Sequence, residues 1–199
     1  MDWSSNKINT VPLLRFDDPL PIRPRKIAVA GPAGSGKSSL ARALGVPYVD
    51  IDSLFHGPNW TVRETWIDDV KQVVSGPEWV IEWQGDEVRD QIGANAELLV
   101  WLDHPRWLTM YRVIKRTLHR RITKTELWSG NTEGPLRDVF KDPDHIVKLS
   151  WRMYPKIRQQ VIEVLREKRF PHLVVVRLRG QCQVDAWLKA GWPGSPANP

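Results

Sequence analysis

Short apolar runs alternate with amphipathic stretches along most of this chain. Residues 26–30, 46–51, 79–83, 98–102 and 173–178 are apolar-rich and bounded by polar, glycine or proline positions, as buried strands are. Between them the spacing becomes helical. Residues 38–44 read as a helix stopped by Gly45. Thr61-Val-Arg-Glu64 reads as a capping box that opens a helix with Val62, Trp66, Ile67, Val70, Val73 and Val74 on one face, ended by Ser75-Gly-Pro77. Further helices are expected near 87–96, 107–121, 145–168 (interrupted or restarted at Pro155) and 184–189. Strands alternating with helices predict an α/β fold whose parallel sheet of five strands is covered on both faces. Such sheets bind ligands at the carboxyl ends of their strands.

The two ends depart from this alternation. Pro12, Pro19, Pro21 and Pro24 make residues 1–24 an expected extended arm, and 192–199 an irregular tail. Residues 25–191 then form one domain, a size that suits 199 residues. Inside it, about 121–145 breaks the pattern with Ser129-Gly-Asn131, Gly134-Pro135 and Asp142-Pro143, and is read as an excursion.

Composition narrows the setting. At 41% hydrophobic the chain can bury a core. Cys182 is its one cysteine, so no internal disulfide can form. No run approaches the ~18 apolar residues of a membrane span, and the N-terminus lacks a signal-peptide core. A soluble, cytoplasmic protein is expected, without a membrane partner. The net charge of +6 suits a pocket for anions, and equally a nucleic-acid partner. His56, His104, His145 and His172 lack metal spacing, and with a single cysteine no zinc site is expected.

One segment carries specific chemistry. Gly31-Pro-Ala-Gly-Ser-Gly-Lys-Ser-Ser39 fits G-x-x-x-x-G-K-[ST], the phosphate-binding loop of nucleoside triphosphate enzymes, set between a strand and a helix. Gly31, Ala33, Gly34, Ser35, Gly36 and Ser39 would wrap the phosphates. Lys37 would reach the outer ones, and the Ser38 hydroxyl would ligate Mg²⁺. Asp50-Ile-Asp52 ends the second strand, where alternation puts both carboxylates on one side. One would serve Mg²⁺ and the other an acceptor hydroxyl; an N-cap or a solvated strand end is the plainer alternative. Glu82 closes an apolar strand, where a carboxylate needs a partner: the metal, or a salt bridge. Arg89 is a candidate clamp for an anionic acceptor, and equally a surface arginine. Arg112, Arg116 and Arg120 recur every four residues on the basic helix, with Tyr111, Ile114 and Leu118 expected mainly towards the core. Arg179 ends the fifth strand, where a loop can border a purine base with Arg179 stacked on it; an ordinary surface arginine is the equal alternative.

In these segments the chain resembles the small P-loop kinases of the adenylate kinase class, above all bacterial proteins known as adenylate kinase or DNA topology modulation protein. The segments are 31–39, Val49-Asp-Ile-Asp-Ser-Leu-Phe55 with Trp60, Trp79-Val-Ile-Glu82, Leu99-Val-Trp-Leu-Asp103 with Pro105, and Val113-Ile-Lys-Arg116. The resemblance implies a P-loop NTPase three-layer fold with a five-stranded sheet, a small lid insertion after the basic helix, and Mg·ATP as donor. It implies that Lys37 contacts the transferring phosphate and that Arg116 and Arg120 meet phosphate when the lid closes. Asp50-Ile-Asp52 also resembles the paired aspartates of shikimate and gluconate kinases, which implies a metal role for Asp50 and an acceptor role for Asp52. Two departures stand out. Glu82-Trp83-Gln84 replaces the Asp-Gly-Asn of topology modulation sequences, so that Trp83 would narrow the acceptor site. The mononucleotide-binding signature of true adenylate kinases is also missing.

The expectation is therefore an ATP-dependent phosphotransferase that moves the γ-phosphate to a small anionic or hydroxylated acceptor, with nucleotides among the candidates. The alternative is an ATP-binding regulatory or nucleic-acid-associated protein without kinase activity.

Overall fold

The computed structural model describes residues 11–131 and 145–191. Among them are six strands: β1 (Leu13–Leu14), β2 (Lys26–Ala30), β3 (Tyr48–Val49), β4 (Trp79–Glu82), β5 (Leu98–Leu102) and β6 (Val174–Leu178). All pair in parallel, in the order β1-β6-β5-β2-β4-β3. The helices are α1 (Lys37–Ala43), α2 (Ile51–Phe55), α3 (Trp66–Ser75), α4 (Arg89–Asn95), α5 (Arg106–Thr123), α6 (Ile146–Glu167) and α7 (Gln181–Ala190).

Alternation along the strands explains the layers. Ile27, Val29, Val80, Leu98, Val100 and Leu102 face one way, onto Leu40 and Ala41 of α1 and Val184 and Trp187 of α7. Ala28, Ala30, Ile81, Leu99, Trp101 and Val175 face the other, onto Trp66, Val70 and Val74 of α3, Ile92 of α4 and Val161 and Val164 of α6. With both faces covered, the strands are apolar apart from Lys26, Glu82 and Arg177. The chain leaves β2 for β3 and β4 on one side and β5 and β6 on the other. A crevice therefore opens at the carboxyl end of β2, where residues 31–36 lead into α1.

Several expectations are corrected. The sheet has six strands rather than five, because the arm contributes one: Leu13 and Leu14 pair with Val175 and Val176 along the edge of β6. Val11 and Leu20 of the same arm are buried in the two core layers. A two-residue strand among prolines leaves almost no periodic signal. The strand expected at 46–51 stops at Val49, and Asp50 caps α2 instead. The capping box at Thr61 does not open α3. Gly57 N–H donates to Thr61 O at 2.7 Å and Arg63 N–H to Phe55 O at 3.0 Å, so these residues close a small hairpin, and α3 starts at Trp66. Val62 is exposed as a result. The tail from 192 onward lies outside the described residues, as does 132–144 of the expected excursion.

Helix α5 also differs from expectation. It packs inward through Thr109, Met110, Val113 and Thr117, which leaves Tyr111, Ile114 and Leu118 exposed. Helix α6 runs unbroken through Pro155. A proline cannot donate to the carbonyl four residues earlier, here that of Trp151. That carbonyl accepts from Arg106 Nη2 at 2.6 Å, while the guanidinium lies 3.4 Å over the Trp151 ring. A helix break is thereby turned into a tie between α6 and the first turn of α5.

This tie is testable by a double-mutant cycle. Arg106→Ala should destabilise the protein by about 1–3 kcal/mol in chemical denaturation, since a charged donor is lost. In a Pro155→Ala background the Trp151 carbonyl regains a helical donor, and the same substitution should cost about 1 kcal/mol less.

Candidate functional site

The phosphate-loop segment sits where the sheet directs it. Gly34 has φ +78°, and a Cβ there would stand 2.3 Å from the Thr109 carbonyl oxygen. Only glycine lets this loop pass so close to α5. Gly36 has φ 92° and caps α1 in the left-handed region. Ser35 N–H donates to Pro32 O at 3.1 Å, and among the described residues the buried Ser35 Oγ has no hydrogen-bond partner.

Glu82 organises the loop from the end of β4. Its side chain is nearly inaccessible, at 5% exposed. Ser38 Oγ donates to its Oε1 at 2.7 Å and Tyr48 Oη donates to the same oxygen at 3.2 Å. Lys37 Nζ lies 3.6 Å from its Oε2. Burial, then the Glu82 charge, push the Tyr48 phenol above its usual range, so the phenol stays a neutral donor.

A cavity of about 810 Å³ opens in front of this cluster. It brings together Ala33, Gly34, Gly36, Lys37, Ser38, Ser39, Asp50, Asp52, Glu82, Arg116 and Arg120 of the expected set, and Arg112 with them. The arginine row is thus turned into the cavity. Arg112 stands against the loop, with Nη1 3.5 Å from Ser35 O and Nη2 donating to Gln181 Oε1 at 2.9 Å. Asp50 and Asp52 share the cavity for a different reason than strand alternation. Asp50 is the N-cap of α2, its Oδ1 accepting from Asp52 N–H at 3.1 Å, so the first turn of that helix aims both inward. Asp52 Oδ1 accepts from Gln84 Nε2 at 2.7 Å. Burial and the Glu82 charge, only partly opposed by Lys37, raise the Asp52 carboxyl to about 6.

Four expected residues do not line the cavity: Gly31 and Ser35, which are buried within the loop itself, and Arg89 and Arg179. Arg89 pairs with Asp86 at 2.7 Å and lies over the Trp83 ring, so it is no clamp on the cavity. Arg179 reaches back to Asp103, 3.6 Å away, beside Arg177 and Arg158, and does not border the cavity. Trp83 does not narrow the site either. It is buried in the core with its Nε1 donating to Arg89 O at 3.1 Å, and Gln84 takes the position facing Asp52.

Residues not expected complete the walls. Trp128 Nε1 donates to Asp50 Oδ2 at 3.1 Å, and its ring stacks on His56. Trp60, Leu127, Ile146 and Leu149 also face the space. The segment that follows α5 is fastened down by buried Asn131. Its Oδ1 accepts from Trp60 N–H at 3.1 Å, and its Nδ2 donates to Gly57 O at 2.9 Å and Trp128 O at 2.8 Å. Ser129 Oγ donates to His56 O at 2.9 Å. A smaller cavity of about 250 Å³ continues behind the loop, between Ser39, Arg112, Gln181 and Val184.

No protein-family model matches this chain, and no functionally curated protein does. Among solved structures it is similar to a gluconokinase from Sinorhizobium meliloti 1021, with 17% identity and a TM-score of 0.45 over 84% of this chain and 93% of that one. It is also similar to a shikimate kinase from Acinetobacter baumannii in complex with shikimate, with 18% identity and a TM-score of 0.37 over 73% of this chain and 95% of that one. At such values the chemistry has to be argued from the site itself. Among the described residues, no helix is long and apolar enough to cross a membrane.

Two outcomes follow from the geometry. An aspartate whose carboxyl is raised from 3.8 to about 6 favours folding at low pH and loses that contribution as the pH rises through 6. Asp52→Asn should therefore raise the melting temperature at pH 7.5 by roughly 2–6 °C and leave it unchanged near pH 4, as read by calorimetry. Asn131→Ala should speed amide exchange at Trp60, whose N–H loses its acceptor, with little effect at the centre of β5.

Proposed function

We propose that this protein is an ATP-dependent phosphotransferase. The observation that carries this reading is the shared cavity, in which the phosphate loop with Lys37 and Ser38 faces Asp52 across the same space as the arginine row. The buried, unpartnered Ser35 Oγ and the close glycine cradle at Gly34 suit a polyphosphate. The smaller cavity behind the loop, bordered by Arg112 and Gln181, suits the nucleoside end of the donor. In this reading Arg112 takes the base-side place that Arg179 was expected to fill.

Ser38, Glu82 and Asp50 offer hard oxygen ligands, which suit Mg²⁺. Among the described residues, no three His, Cys, Asp or Glu side chains converge as a metal site, so phosphate oxygens would complete the ligand set. Bound Mg²⁺ neutralises charge on the phosphates. Glu82 holds Lys37 and Ser38 in place before the donor arrives. Asp52 orients the acceptor hydroxyl and takes its proton as the hydroxyl oxygen bonds to the γ-phosphorus and the bond to the β-phosphate oxygen breaks. A carboxylate near 6 is a stronger base than an ordinary aspartate and is still ionised at pH 7. Arg116 and Arg120, on the cavity side of α5, neutralise charge on the moving group.

The test is Mg·ATP turnover against a broad panel of alcohols, sugars, acids and nucleotides. Lys37→Met should lower kcat by about 10²–10³-fold while the protein keeps its melting temperature within a few degrees. Asp52→Asn should lower it by about 10²–10⁴-fold and abolish the acidic limb near pH 6 in the kcat/KM profile. ATP binding with no transfer to any member of the panel rejects the reading.

A further inference from the structure

Helix α5 presents three faces. Thr109, Met110, Val113 and Thr117 are buried. Arg112, Arg116 and Arg120 line the large cavity. The third face carries Trp107, Tyr111, Ile114, Leu118 and Ile122, which are between 41% and 79% exposed. At 3.6 residues per turn these five fall within an arc of about 80° and run for about 22 Å along the helix. The arc is centred roughly 120° from the buried row and nearly opposite the arginines, and none of the five lines the cavity.

Charge decides what can cover this stripe. Helix α5 holds six arginines and lysines and no aspartate or glutamate. The whole chain has a net charge of +6, so this helix alone supplies as much positive charge as the molecule has in excess. Lys115 borders one edge of the stripe and Arg121 the other, both exposed, and Arg121 also has a partner within the chain. A second copy of the helix would set cations against cations. The stripe also exposes roughly 500 Å², short of the ~800 Å² that each partner of a stable pair contributes. Nucleic acid would satisfy the cations, but Ile114, Leu118 and Ile122 have no ring to stack on a base. An anionic bilayer satisfies both features. Apolar side chains enter the boundary between headgroups and acyl chains, while lysine and arginine stems lie along it and carry their charges to the phosphates.

We propose that α5 docks this protein onto an anionic lipid surface, lying in the plane of the interface with the stripe from Trp107 to Ile122 turned into it. The expectation of no membrane partner rested on the lack of a run long enough to span, whereas a helix that lies on a surface needs only one apolar face. Docking through this face is independent of what the cavity binds, and it puts the arginine row on the side of the helix away from the bilayer.

Co-sedimentation of the full chain with lipid vesicles tests it. Phosphatidylcholine vesicles containing about 30% phosphatidylglycerol should bind the chain at least tenfold more tightly than phosphatidylcholine alone, with the difference shrinking as salt is added. Trp107→Ser combined with Ile122→Ser should weaken binding to the anionic vesicles by about tenfold or more. Its melting temperature should stay within a few degrees, because both side chains are already in water. Lys115→Gln should weaken the same binding by about fivefold. No sedimentation with anionic vesicles at millimolar lipid overturns the assignment, as does undiminished binding by the double variant. A lipid-free dimer that the double variant dissociates gives the stripe to a second copy and overturns it too. So does binding to duplex DNA or RNA that the double variant weakens.

Discussion

The buried carboxylate of Glu82 is the constraint around which the loop end of the cavity is arranged. A charge so far removed from water is tolerated only when it is paired and hydrogen-bonded. Glu82 meets that demand with Ser38, Tyr48 and Lys37, which come from α1 and β3. The same requirement that keeps the carboxylate from destabilising the sheet thus draws the ends of β2, β3 and β4 together. It also puts a negative field on Asp52, which adds to the larger effect of burial in raising that carboxyl.

A second arrangement joins the elements that carry the far wall. The segment after α5 could in principle stand away from the domain, because its own residues make little core. Asn131 prevents that by satisfying backbone groups on both sides, at Gly57, Trp60 and Trp128. Trp128 is then held over His56 with its N–H on Asp50. The Pro155 tie acts at the other end of α5, through Arg106 and the Trp151 carbonyl. Between these two anchors, Arg112, Arg116 and Arg120 line the cavity.

Much of this was legible in the chain. Strands 26–30, 79–82 and 98–102 were visible because continuous apolar runs have few other uses in a protein of this size. The glycine-rich loop at 31–36 was visible because its backbone conformation favours only glycine at Gly34 and Gly36. The arginine row was visible as a four-residue repeat, though the exposure of Tyr111, Ile114 and Leu118 was not: a helix with two apolar stripes does not announce which one the core takes. Arg89 and Arg179 were misplaced because an arginine near the carboxyl end of a strand looks the same whether it faces ligand or is held by a nearby aspartate. The aromatic wall was missed because Trp60 and Trp128 are distant in sequence and belong to non-periodic turns.

What the sequence determined by itself was local: where the chain must bend, which runs must be buried, and where the glycine-rich loop lies between a strand and a helix. These follow from nearest-neighbour sterics and from the period of apolar residues, and both act over a few positions. The tertiary structure decided which charges face each other. It made Asp50 a helix cap rather than a strand end, gave Glu82 its three partners, added β1 to the sheet, and set the indole of Trp128, from a distant turn, on the Asp50 carboxylate. Those outcomes depend on desolvation and hydrogen-bond satisfaction among residues far apart in the chain, and such terms take their values only once the layers have packed.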